Sequence, residues 1–217
     1  MPARGRVVLE GIRFAAGIAS DPSAVVSLWK VATGGKAVGC LPPVHVPELP
    51  HAAGLLPILL ESREDLSLLS GQVDAWLAGV EPSASTAPPG ATPRFTFPRV
   101  PPASIEEALD RIEALAEWAG AVSGSPASEG GIWKSIRAYA GRRSLLDALD
   151  ERFARETAFL TPEERHDILR AGIFLPPEAH SRLLSSILGI DPESVPTPAD
   201  GERGDPLIVL ARRIFPG

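Results

Sequence analysis

The chain has 217 residues, 44% of them hydrophobic, with a formal net charge of -6 at pH 7; it is long enough to bury a real core and too apolar to be disordered. The acidic balance, with only the isolated basic pairs Arg142-Arg143 and Arg212-Arg213, argues against nucleic acid or an anionic membrane surface as partner. A single cysteine excludes an internal disulfide framework and any all-cysteine zinc or iron–sulfur site made by this chain alone.

Asp21-Pro22 predicts a helix start, with Asp as cap and Pro at the first helical position, and Ala24, Val25, Leu28, Trp29 and Val31 form its apolar side. Gly34-Gly35 ends that helix. Ala37-Val38-Gly39-Cys40-Leu41 is an apolar run suited to a buried strand. A Pro-rich turn then leads into Glu48 to Gly54, which predicts one or two helical turns closed by glycine, and Leu55 to Leu60 is a second apolar run. Ser62 to Leu69 reads as a connecting helix and Val73 to Val80 as a third strand. This β-α-β-α-β alternation predicts a small parallel sheet with flanking helices, an α/β, Rossmann-like fold whose ligands sit beyond the carboxyl ends of the strands.

Residues 82–93 (PSASTAPPGATP) break the composition sharply and predict a loop, after which Phe95-Thr96-Phe97 resumes as a short strand. The second half predicts helices. Ser104-Ile105-Glu106-Glu107 is a capping box before Ile105, Leu109, Ile112 and Leu115 at helical spacing. Residues 123–131 interrupt, and Ile132, Trp133, Ile136, Ala140, Leu145, Leu149 and Phe153 mark one long helix with Gly141 as a weak point. Thr161-Pro162-Glu163-Glu164 caps the next helix, Pro177 to Leu188 forms a last one stopped by Gly189, and Leu207-Ile208-Val209-Leu210 predicts a final buried strand. The expected organisation is an α/β domain over 1–100, a helical region over 101–190, and a linker with a last strand over 191–217. That strand packs on the sheet or on a partner, since otherwise it is an exposed edge. The N-terminal MPARGRVVLEG lacks a signal peptide's apolar core and no run is long enough to span a bilayer, so the expected location is cytoplasmic, without membrane contact.

The order Pro47-Glu48-Leu49-x-His51-Ala52-Ala53-Gly54-Leu55-Leu56-Pro57 resembles the N-terminal motif of the 2-hydroxyacyl-CoA dehydratase and benzoyl-CoA reductase family. There a strand ending in glycine leads through a Pro-Glu-rich turn into His-Ala-Ala-Gly and a Leu-Pro strand. The later Tyr139-x-x-x-Arg143-x-Leu145-Leu146 also follows the family's order of helices. The resemblance covers most of the chain, strongly over 36–60, and the longer family members make this chain look like a first half. In the family, an activator protein delivers an electron at ATP's expense, and a clustered subunit passes it to an acyl-CoA thioester through a ketyl radical. These are lyase and oxidoreductase chemistries.

The departures are specific. Aligned on His51-Ala52-Ala53-Gly54, the family's first cluster-ligand position falls on Pro42, with Cys40 two residues early, and no cysteine follows Val80 at the second. Proline supplies no thiolate, so the chain is expected to carry no cofactor of its own, with a 4Fe–4S cluster on a homologous partner subunit. Cys40 reads as a small buried hydrophobe, with a shifted ligand as the alternative. Glu48 is the first catalytic candidate, since the resemblance places this glutamate near the acyl-CoA thioester, where a carboxylate accepts a proton or a hydrogen bond. Its plainer role is a helix-start carboxylate near free backbone N–H groups. His51 is the second candidate, against a packing and hydrogen-bonding role in the turn. His45, Glu48 and His51 make a poor metal site, because the spacing matches no i, i+4 pair and Pro50 interrupts.

Gly34-Gly35-Lys36 lacks P-loop spacing, Gly130-Gly131 lacks a preceding strand, and no GxSxG elbow is present. Trp29, Trp76, Trp118 and Trp133 read as core, and His166 and His180 as helical surface positions. The expected function is an accessory subunit of an acyl-CoA radical dehydratase or reductase, with acyl-CoA as possible ligand. The alternative is a non-catalytic scaffold or assembly protein that kept the fold and lost the redox site. Either predicts a complex, with a cluster-bearing homologue or by self-association. An unrelated small-molecule enzyme using the same sheet-end crevice is a third reading, on fold analogy alone.

Overall fold

Apolar runs of four or five residues separated by short helices have one economical solution, a parallel sheet covered on both faces. The computed structural model describes residues 5–41, 46–60, 63–69, 71–78, 92–97 and 102–191, and within them the chain takes that solution. The elements in order are α1 (Arg6–Ser20), α2 (Pro22–Thr33), β1 (Ala37–Leu41), α3 (Glu48–Ala52), β2 (Leu56–Leu59), α4 (Arg63–Leu69), β3 (Ala75–Ala78), β4 (Arg94–Thr96), α5 (Ile105–Ser123), α6 (Glu129–Arg155), α7 (Pro162–Phe174) and α8 (Pro177–Leu188). The four strands form one all-parallel sheet in the order β2-β1-β3-β4, so the fold is α/β and Rossmann-like, with a helical C-terminal region. The predicted strand at Leu207 lies outside the described residues, as does most of the loop over 82–93.

Two compact units divide the described chain: 26–136 carries the sheet, and 5–25 with 137–191 is helical. In the sheet unit, register explains the packing. Val38 and Cys40 pair with Ala75 and Leu77, placing all four side chains on one face, where Leu49, Ala53, Leu115, Ala119, Ile132 and Ile136 cover them. The opposite face carries Ala37, Gly39, Ile58 and Trp76, all aligned by the same period-2 rule. Gly39 lies against the Trp76 ring, which occupies the space a Cβ would need. Pro57 stands in β2 without loss. The N–H groups of Leu56 and Leu60 bond to β1, so the intervening position 57 points its missing donor to the open edge.

The amino end of the sheet is held by Asp74. Its Oδ2 accepts from the Ala37 N–H at 2.8 Å and its Oδ1 from Lys30 Nζ at 2.8 Å. Lys36 Nζ donates to the Val122 carbonyl at 2.7 Å, near the end of α5, where a cation is favourable. Lys30 also sets how α2 rolls. Val26 is fully buried, whereas Leu28 and Val31, expected on the inner side with Ala24, are 70% and 83% exposed. Helical spacing cannot place both sets inward, and the bonds from Ser27 and Lys30 to Gln72 and Asp74 select the Val26 face.

In the helical unit, α1 packs against α7 and α8, and its Gly11 lets Ile187 approach the helix backbone. This helix was not anticipated, because the Arg6-Val7-Val8-Leu9 start was read only for targeting. Helix α6 runs unbroken through Gly141. Three helices with no basic residue in their last turn receive one from elsewhere: Arg170 Nε donates to Ala19 O of α1, Arg142 to Gly172 O of α7, and Arg152 to Leu188 O of α8. Thr161 and Glu164 form the expected reciprocal capping box. Ser104 departs from the expected pattern: it accepts from the Glu107 N–H, but the Glu107 carboxylate accepts from Ala103 rather than from Ser104 itself. Among the described residues, no helix is long and apolar enough to cross a membrane.

Candidate functional site

A parallel sheet ordered 2-1-3-4 has its topological switch between β1 and β3, because the connection from β1 leads to one side and the one reaching β3 to the other. Leu41 and Ala78 are the register pair at those carboxyl ends. Helix α3 opens after the segment that follows β1, and Glu48 is its first residue. The side chain is 8% exposed, more buried than a carboxylate at a turn usually is. Val46 and Phe97 pack on the same apolar cluster that covers Cys40, so the carboxyl side of the sheet is lined by apolar groups around this carboxylate's helix.

Ser135, a residue the sequence reading did not single out, ties this turn down. It is fully buried on α6, and its hydroxyl donates to the Glu48 carbonyl at 2.8 Å. His51 Nδ1 lies 2.9 Å from the same hydroxyl oxygen. One hydroxyl has one proton, already given to Glu48 O, so His51 Nδ1–H is the donor and Ser135 the acceptor. The arrangement holds α3 against α6 and does not prime Ser135 as a nucleophile, since its proton points away from the histidine. The signal for Ser135 was present in the sequence: it stands three residues after Ile132 and one before Ile136, a polar residue within a buried apolar face. Gly131 completes the seat. A Cβ there would lie 3.1 Å from the Ala52 carbonyl, so glycine admits the start of α6 beside the end of α3. Gly54, at φ +81°, turns the chain from α3 into β2, where Leu55 N–H donates back to Pro50 O.

Cys40 is 2% exposed in β1. Burial pushes its thiol up to about 12, the nearby Glu48 charge acts in the same direction, and a hydrogen bond to Ile58 backbone opposes both. The sulfur therefore stays a neutral thiol across the physiological range. Pro42 and His45 lie outside the described residues, so the position aligned with the family's first ligand and the His45–Glu48–His51 grouping have no described geometry. Among the described residues, no group of three or more histidine, cysteine or acidic side chains is placed to hold a metal ion.

The helical unit carries a second ionisable group in its interior. His180, expected on the surface, is 1% exposed. It stands in helical register with Leu183, Leu184 and Ile187, so its position on an apolar stripe was legible but went unused. Its Nε2–H donates to the Ile168 carbonyl at 3.0 Å, and the ring occupies the space that a Cβ at Gly172 would need. Desolvation, with the Arg142 charge adding to it, lowers its pKa from 6.5 to about 4 against the Ile168 hydrogen bond. An open groove of about 610 Å³ runs between the last turn of α1 and His166, Asp167 and Arg170 of α7. Neither Glu48 nor His51 lines it.

Of the predicted residues, the structure thus brings together Glu48, His51 and Cys40 around the start of α3. Compared with protein-family models and with curated proteins, the chain matches none.

Proposed function

We propose that this chain is an accessory subunit of the 2-hydroxyacyl-CoA dehydratase or benzoyl-CoA reductase type, shaping an acyl-CoA pocket without an iron–sulfur cluster of its own. The observation that carries the reading is Glu48, a buried carboxylate opening α3 just past the carboxyl end of β1, beside the switch of a parallel sheet. A carboxylate so placed accepts a hydrogen bond from the hydroxyl of a bound 2-hydroxyacyl thioester, and the Ser135–His51 contacts keep its backbone still. The chain has a single cysteine, so an electron-carrying cluster belongs to a partner subunit in this reading.

The same Ser135–His51 arrangement favours a second reading, a scaffold in which the α3 turn is purely structural. Calorimetry with lactoyl-CoA, a 2-hydroxyacyl thioester, separates the two. The accessory reading expects saturable binding, weakened about tenfold in Glu48→Gln, the loss of roughly one charge-assisted hydrogen bond. No binding by the native chain supports the scaffold, and binding indifferent to Glu48→Gln removes this residue from the pocket. Anaerobic purification with iron and sulfide analysis tests the partner: a longer cysteine-bearing subunit arriving with iron is the expected result.

A further inference from the structure

We draw no further inference here: the strongest candidate, the open groove between the last turn of α1 and His166, Asp167 and Arg170 of α7, is lined by small residues and by charges of both signs, and nothing in the structure shows what occupies it.

Discussion

Lowering the pH from 7 to 4 forces a proton onto His180 if the chain is to unfold and resists it while the chain is folded. In the native state the Nε2–H is committed to Ile168 O, and the buried Nδ1 has no hydrogen-bond partner among the described residues. A second proton would sit there unsolvated, with the Arg142 charge nearby. The folded pKa of about 4 lies below the unfolded 6.5, so unfolding takes up a proton between those values. Stability is fully present above pH 6.5 and is lost as pH falls toward 4, by roughly 3 kcal/mol at the lower end. With a urea slope of about 2 kcal/mol/M, that moves the unfolding midpoint by about 1.5 M. Urea titrations of the native chain and of His180→Gln at half-unit pH steps isolate the effect, because the carboxylates contribute equally to both. The native curve should fall more steeply than the variant's between pH 6.5 and 4, with the two parallel above 7. Parallel curves throughout, or a His180 ring proton titrating near 6.5 by NMR, would refute the argument.

Other expectations follow from the same geometry. Ser135→Ala strips a donor from the Glu48 carbonyl and an acceptor from His51, both in a partly or fully buried seat, and should cost about 1–3 kcal/mol in chemical denaturation. Cys40 should react with a thiol reagent only after unfolding, its enclosed neutral thiol giving a native rate orders of magnitude below that in denaturant; fast native labelling would contradict the buried strand position. Asp74→Ala removes the acceptor for both Ala37 N–H and Lys30 and should lower stability by about 1–3 kcal/mol, whereas Asp74→Asn, which keeps an acceptor, should recover part of the loss.

Much of the sheet was legible because short apolar runs between turn residues admit few structures. β1, β2 and β3 fall within the runs 37–41, 55–60 and 73–80, and Pro57 is accommodated because β2 is an edge strand. The caps at Ser104 and Thr161 were legible for a similar reason, since a side chain satisfying an N–H three residues on is a local matter. Glu48, His51 and Cys40 were named from local order, and their common neighbourhood follows from the strand–turn–helix path.

The sequence by itself determined the four described strands and most helices, because hydrophobic period and turn chemistry act over a few residues. Only the tertiary structure decided which of several apolar faces went inward. Lys30 reaching Asp74 rolled α2 so that Leu28 and Val31 face out, a contact spanning 44 positions that no local pattern encodes. Ser135 meets Glu48 across 87 positions, and His180 is buried because Gly172 makes room for its ring. Pairings at that separation depend on how whole elements stack, and burial settles them only when the core closes.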